Sequence, residues 1–152
     1  MKIGIMQGRL LPPVNNHIQE FPPEWEQEID LIQEHGLEHV EWLITKNSFA
    51  HNPIFKENNF KLHQFVSSIC VDNLVDERIV DKDYLFSNLE PVCTAALAHG
   101  INNITIPILE DSSMEDDENR AMFCKLMLEI SKKYPDINFC FEAELGHKKL
   151  LE

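Results

Sequence analysis

Five short apolar runs, each bounded by glycine, proline or polar residues, recur along the chain at intervals of roughly 30 residues. Their length and their Val, Ile and Phe content predict buried β-strands. We place these strands near residues 2–7, 38–44, 66–72, 103–109 and 137–142. Pro107 cannot donate a hydrogen bond to a neighbouring strand, so we expect it near the end of its strand or at a bulge.

Stretches with apolar residues at helical spacing separate the predicted strands. They run from Phe21 to Gly36, from Ile54 to about Phe65, from Asp81 or Asp83 to Gly100, and from the loop Ser112–Asp117 to Pro135. The third stretch carries the most regular apolar stripe, formed by Leu85, Leu89, Val92, Cys93 and Ala96. The second stretch is the least regular and predicts only a short helix.

The junction between helix and strand is repeated. The segment His35-Gly-Leu-Glu-His-Val40 is similar to His99-Gly-Ile-Asn-Asn-Ile104, and in both a glycine ends the helix before an apolar strand. Strands that alternate with helices predict an α/β fold with parallel βα repeats and right-handed crossovers. We expect the strands in chain order, as in part of a barrel. The competing arrangement is the flavodoxin-like order 2-1-3-4-5.

Polar side chains follow every predicted strand. The loops after parallel strands build the ligand site in α/β folds, so these side chains are the candidate site residues. They are Gln7, Arg9, Glu41, Asp72, Asn73, Glu110, Asp111, Glu142 and Glu144. Carboxylates gathered on one face suit a divalent metal or proton transfer next to a carbonyl. The alternative is that acidic residues simply follow strands in an acidic protein.

Net charge narrows the classes of partner. The chain of 152 residues has a net charge of −13, which disfavours nucleic acid and anionic membranes. One phosphate could still be held by a local Arg, Lys or helix N-terminus. No apolar run approaches the roughly 18 residues of a membrane span, and no signal peptide is recognisable, so we expect a cytoplasmic protein.

Four cysteines, at positions 70, 93, 124 and 140, form no C-x-x-C pair and have apolar neighbours. We interpret them as buried, reduced thiols. Trp42 has two interpretations, because a tryptophan beside a candidate site can stack on a sugar face but more often packs in the core.

Several short motifs, in chain order, resemble bacterial sugar phosphate isomerase/epimerases of the xylose-isomerase-like TIM-barrel superfamily. The first is Lys2-Ile-Gly-Ile-Met-Gln-Gly-Arg-Leu10, followed by Pro12-Pro13. The others are Phe21-Pro22 with Trp25 to Gly36, Val40-Glu-Trp42, Asn52-Pro53, Val66-Ser-Ser-Ile-Cys-Val-Asp72 and Ile106-Pro-Ile-Leu-Glu-Asp-Ser-Ser113. Together they cover nearly all of the chain.

The resemblance implies a metal-dependent isomerase or epimerase that acts on a small ketose or sugar phosphate. In that superfamily Mn, Mg, Co or Zn is held by acidic and histidine ligands at the ends of strands five to eight. The strand-five glutamate corresponds to Glu142, which the resemblance implies as a metal ligand and as the catalytic group for proton transfer. The residues expected on the substrate side are Gln7, Arg9, Glu41, Trp42, Asp72 and Glu110.

The chain departs from the family in having five predicted strands, whereas a closed barrel has eight and needs roughly 200 residues or more. We therefore expect residues 1–152 to form one incomplete TIM-barrel domain, the first five βα units, with two open sheet edges. Such a domain would form homo-oligomers or pair with a complementary C-terminal half. The alternative function is a non-catalytic remnant that self-associates or pairs with a missing C-terminal half. A DNA-repair endonuclease of the same superfamily is disfavoured by the acidic charge.

Overall fold

The computed structural model of the chain describes residues 3–15, 24–56 and 64–146. It contains a five-stranded parallel sheet in the order β1-β2-β3-β4-β5. The strands are β1 (Gly4–Met6), β2 (His39–Leu43), β3 (Val66–Cys70), β4 (Asn103–Ile108) and β5 (Asn138–Ala143). The predicted α/β class and the chain order are confirmed, and the order 2-1-3-4-5 is wrong.

In the described ranges, three complete helices cover one face of this sheet. They are α1 (Trp25–Glu34), α2 (Lys82–Ala98) and α3 (Asp117–Lys133). Right-handed crossovers between strands in chain order bring every helix to the same face. One hydrophobic cluster accordingly joins apolar residues of all three helices to alternate strand residues, including Val40, Trp42, Ile69, Ile104 and Ile106. The architecture is that of a partial βα-repeat fold.

The repeated His-Gly motif forms the same helix end twice. Gly36 and Gly100 have φ values of +67° and +70°, the left-handed conformation that favours glycine. After α1, the Leu37 amide donates to the Ile32 carbonyl at 2.9 Å; after α2, the Ile101 amide donates to the Ala96 carbonyl at 2.8 Å. These bonds are those of a Schellman motif, so the sequence repeat is also a repeat of local structure.

Helix N-termini and the strand proline follow the sequence rules. Asp81, rather than Asp83, caps α2 by accepting a hydrogen bond from the Tyr84 amide at 2.8 Å. Pro107 lies one residue before the end of β4, past the last residue that pairs with β3, so its missing N–H breaks no bond to β3. The prediction that Pro107 lies near a strand end is confirmed.

The segment between β2 and β3 differs from the prediction at its start, whereas Gln64 and Phe65, directly before β3, are helical as predicted. Pro53–Phe55 form a 3₁₀ turn, which Asn52 caps by accepting from the Ile54 amide at 3.1 Å. Most of the short helix predicted from Ile54 to about Phe65 lies outside the described residues. In the described ranges no helix is both long enough and apolar enough to cross a membrane.

The left-handed conformation of Gly100 generates the first prediction. Replacing Gly100 by alanine places a Cβ in a conformation that costs an L-residue about 1 kcal/mol, because the added atom meets no neighbour but the backbone is strained. We expect Gly100→Ala to lower the free energy of unfolding in urea by about that amount. Gly146→Ala is the control, because Gly146 has open space around it and no positive φ. Equal stability of the two variants would contradict the assignment.

Candidate functional site

The face of the sheet opposite the helices, here called the inner face, carries the candidate site. Neighbouring residues of paired strands point to the same side. The register pairs Glu41 with Ser68, Cys70 with Thr105, Thr105 with Cys140, and Pro107 with Glu142. These residues alternate with the core residues that pack against the helices. The inner face is therefore polar across its centre, in contrast to the apolar helix side.

Glu41 lies at the middle of this face and joins three strands. Its Oε1 accepts hydrogen bonds from the Ser68 hydroxyl on β3 at 3.1 Å and from the Thr105 hydroxyl on β4 at 2.9 Å. These two hydrogen bonds hold the carboxylate in one orientation. The residue is half-buried, so it remains partly accessible to solvent. Hydroxyls on β3 and β4 therefore fix the position of a negative charge on β2.

The pKa of the Cys70 thiol depends on the carboxylates that lie near it. Burial is the largest effect on its thiol, and the negative charges of Glu41, Asp72 and Glu142 add to it, raising the pKa of Cys70 to about 12. The three carboxylates come from β2, the end of β3, and β5, and they act on the same thiol. Three of the predicted site residues are thus brought to one region.

Glu142 itself is exposed on β5, in register with Pro107. Asp72 starts a 3₁₀ turn, Asp72–Leu74, directly after β3 and is half-buried. Both are at the carboxyl ends of their strands, where the sequence places them. Among the described residues, no three His, Cys, Asp or Glu side chains come together in a way that could hold a metal ion.

The end of β1 is built from buried hydrogen bonds. Gln7 is 1% exposed, and its Oε1 accepts from the Leu43 amide at 3.0 Å, which fastens β1 to β2. The buried carboxylate of Glu28 on α1 accepts from the Gly8 amide at 2.7 Å and from the Leu10 amide at 2.9 Å. Glu28 therefore holds the turn that presents Arg9.

Arg9 is exposed at this turn, and its Nη2 lies 3.7 Å from the Met6 sulfur. Gln7, in contrast, uses its side chain to join two strands. Its Nε2 has no hydrogen-bond partner in the described part of the chain. Of the two polar residues predicted at the end of β1, Arg9 is thus the one that reaches the surface.

Two other predicted site residues are not part of the inner face. Trp42 is 1% exposed and packs edge-on against Trp25 with ring centroids 5.3 Å apart, while its Nε1 donates to Asn52 Oδ1 at 2.9 Å. A ring buried on the helix side offers no face to a sugar on the other side, so we assign Trp42 to the core. Glu110 is exposed in a 3₁₀ turn after β4, with φ of +49°.

Sequence reasoning missed Ser68, Thr105 and Glu28. The signal for Thr105 was present, because it is the polar residue between Ile104 and Ile106 and so must face away from the core. Ser68 could be found only from the register, since an extra residue in β3, opposite Val40 and Glu41 of β2, shifts its pairing. Nothing in the spacing links Glu28 to the end of β1.

An ion-pair cluster lies beside the site, between the segments that follow β2 and β3. The Asp76 carboxylate contacts Arg78 through both oxygens, at 2.8 and 2.9 Å, and Lys46 Nζ at 3.0 Å. The Arg78 guanidinium also stacks 4.3 Å from the centre of the Tyr84 ring. Hydrogen bonding to Arg78 is the main reason that the pKa of Asp76 lies well below its usual range.

The cysteine interpretation is confirmed for two residues and wrong for two. All four thiols are free; Cys70 and Cys93 are buried, whereas Cys124 and Cys140 are exposed. Cys124 lies outside the buried stripe of α3, and Cys140 lies on the inner face of the outermost strand. Apolar neighbours in the sequence did not reveal burial, because the burial of each thiol depends on which side of its element it occupies.

Comparison of the sequence with protein-family models and with curated protein sequences finds no match. Function must therefore be inferred from the site and from the resemblance of the sequence motifs.

The burial of the thiols predicts selective alkylation. At pH 8 we expect iodoacetamide to modify Cys124 and Cys140 in the native protein, and Cys70 and Cys93 only after unfolding in urea. Burial blocks access to the latter pair and raises each pKa to about 12, which leaves almost no thiolate. Peptide mass spectrometry checks the sites. Rapid modification of Cys70 in the native protein would show that the centre of the inner face is open.

The Asp76 cluster predicts a stability difference that depends on pH. A lowered folded-state pKa means that ionised Asp76 adds stability above its unfolded pKa of about 3.9, and that this contribution is lost as pH falls through the folded pKa. At pH 7 we expect Asp76→Asn to lower the free energy of unfolding by about 1–2 kcal/mol, since the partner cations are exposed to solvent. The difference from the wild type should shrink below about pH 4.

Urea unfolding at pH 7 and pH 3 measures this difference. Asp116→Asn is the matched control, because Asp116 also caps a helix through a backbone amide but forms no salt bridge within the described ranges. If the free energies of unfolding of Asp76→Asn and the wild type differ by no more at pH 7 than at pH 3, the role given to the ion pairs is contradicted.

Proposed function

We propose that this chain supplies five βα units and the strand-five glutamate of a metal-dependent isomerase or epimerase of a small ketose or sugar phosphate. The observation that carries the proposal is that Glu41 and Glu142 share the inner face and act on the same buried thiol, Cys70. The chain-order parallel sheet with helices on one face supports a partial TIM barrel as the scaffold. The resemblance of the strand-end motifs supports the reaction class.

Glu142 is the proposed proton acceptor. A carboxylate at the carboxyl end of a strand can remove a proton from a carbon next to a carbonyl and return it to the neighbouring carbon, which is isomerisation. Epimerisation would need a second acid on the opposite face of the enediolate. Its exposure leaves it accessible to substrate, and its position on the inner face places it on the side of Glu41. In the family that the chain resembles, this glutamate is also a metal ligand.

Glu41 is proposed to position the substrate. Its carboxylate is already oriented by Ser68 and Thr105, so a sugar hydroxyl could donate to it without a change in the side chain. Arg9, exposed at the end of β1, is the cation that could contact a phosphate group of the substrate. Asp72 and Glu110 would lie at the rim, and Trp42 would act only through the core.

A divalent metal would stabilise the enediolate formed by proton removal. The described residues contribute one carboxylate, Glu142, to such a metal and do not form a complete site. The remaining ligands would have to come from further βα units, either in a longer chain or in a second polypeptide. The proposed reaction therefore requires strands six to eight.

The proposal is tested on the chain alone and on the chain co-expressed with a polypeptide that supplies strands six to eight. The measurement is deuterium incorporation next to the carbonyl of a panel of ketoses and ketose phosphates in D₂O with Mn²⁺, read by mass spectrometry. We expect exchange by the pair and negligible exchange by the chain alone. Glu142→Gln should lower the rate at least about 100-fold by removing the base.

Glu144→Gln is the matched control, because Glu144 is exposed just beyond the end of β5 and should tolerate the same change with little loss. Full activity of the pair carrying Glu142→Gln would contradict the assigned base. Robust turnover by the chain alone would contradict the need for further strands. No exchange under either condition would favour the non-catalytic, self-associating alternative.

A further inference from the structure

The strand β5 is the most exposed strand of the sheet. It pairs with β4 on one side only, and within the described part of the chain no strand covers its other side. Four of its six residues are exposed, and Phe141 is 47% exposed although it packs edge-on against Phe123 of α3. A strand edge of this kind presents backbone groups to which another strand can bind.

The backbone groups at this outer edge can be identified from the register. The Asn138 amide donates to the Asn102 carbonyl at 2.7 Å, so Asn138 directs its hydrogen-bonding groups toward β4. Successive residues of a strand alternate in this direction. Cys140 and Glu142 therefore also bond to β4, whereas Phe139, Phe141 and Ala143 direct their N–H and C=O groups outward.

The sequence of β5 is self-complementary about its centre. Asn138-Phe-Cys-Phe-Glu142 has polar residues at both ends, an aromatic residue on each side, and Cys140 in the middle. We propose that β5 pairs antiparallel with β5 of a second copy of this chain, with Cys140 of one copy opposite Cys140 of the other. The two-fold axis of such a dimer passes through the Cys140 pair.

This register allows both backbone hydrogen bonds and favourable side-chain contacts between the two strands. Phe139 lies opposite Phe141 of the second copy, and both direct their backbone groups outward, so each pair exchanges two hydrogen bonds. The two-fold axis makes two such aromatic pairs. Glu142 of one copy lies opposite Asn138 of the other copy, whose side chain is an uncharged amide, rather than opposite another carboxylate. That matters for association of two chains that each carry a net charge of −13.

A shift of two residues is less favourable. It would place Glu142 opposite Cys140 and Phe139 opposite Ala143, leaving one aromatic pair in place of two. A shift of one residue would set outward-directed groups against residues that bond to β4, so no backbone bonds would form. The second copy is thus expected in a single register.

The dimer does not depend on the proposed activity. It occupies the edge at which a sixth strand would lie in a barrel, so self-pairing and addition of a sixth strand exclude each other. Its contact is small compared with standard interfaces of roughly 800 Å² per partner, and we expect it to dissociate on dilution.

Sedimentation of the full chain over a range of concentrations, under reducing conditions, tests the association. We expect a monomer–dimer equilibrium. Phe141→Lys should raise the dissociation constant at least about tenfold, because it removes both aromatic pairs and adds a charge at the edge. The matched control is Leu128→Lys, which also replaces an exposed apolar residue by lysine but lies on α3, where the residue is 61% exposed, and it should leave the dissociation constant unchanged.

Cys140 provides an independent test that does not alter the core. Residues in a non-hydrogen-bonded antiparallel pair have Cα atoms about 4.5 Å apart, within the range of a disulfide. Diamide, which takes up the two thiol hydrogens as the bond forms, should therefore produce a covalent dimer. Cys124→Ser should still form this dimer and Cys140→Ser should not, although both thiols are exposed.

A third pair of variants separates pairing from folding. Cys140→Asp sets two like charges opposite each other only in the dimer, so it should weaken dimerisation while Cys140→Ser should not. Circular dichroism confirms that each variant is folded. The proposal is overturned by a wild-type monomer at all concentrations, by cross-linking that requires Cys124 and not Cys140, or by a dimer unaffected by both Phe141→Lys and Cys140→Asp.

Discussion

The packing of alternate strand residues against three helices is the interaction on which the rest of this structure depends. Val40, Trp42, Ile69, Ile104 and Ile106 face the helices and form one continuous core with them. Because side chains alternate along a strand, burying this set commits the intervening residues to the opposite face. The polar inner face is therefore a direct consequence of how the core is made.

The inner face is held by hydrogen bonds rather than by apolar contact. Glu41 accepts from hydroxyls on β3 and β4, and it adds negative charge near Cys70, together with Asp72 and Glu142. An exposed carboxylate and an oriented one on the same face are a reasonable basis for proton transfer and for sugar binding. The arrangement gives the proposed function its residues, whereas the reaction class comes from the resemblance of the motifs.

The chain-order sheet leaves the outer edge of β5 without a neighbouring strand in the described part of the chain. A sheet in chain order has two outermost strands, and β5 presents outward-directed backbone groups with a self-complementary set of side chains. A sixth strand and a second copy of the chain would satisfy the same groups. Which of them occupies the edge decides whether the inner face is part of a larger barrel or of a paired sheet.

The sequence by itself determined the elements and their order. Helix ends at Gly36 and Gly100 and the five apolar runs depend on contacts within a few residues, so local pattern suffices to predict them. The structure decided that Asp81 and not Asp83 caps α2. Chain order followed from the regular alternation of strand and helix, because short crossovers favour neighbouring strands.

Tertiary structure decided which polar residues meet. Glu28 reaches the end of β1 from a helix 18 to 20 residues away, and Thr105 reaches Glu41 across 64 residues. Such contacts depend on the register of the sheet, which shifts between β2 and β3 at Val40 and Glu41. Likewise the side of the sheet, and not the neighbours in the chain, placed Trp42 in the core and Cys140 at the surface. A one-residue change in register would reverse the side that each residue faces, and this is why the sequence pattern predicted the strands but not the composition of the site.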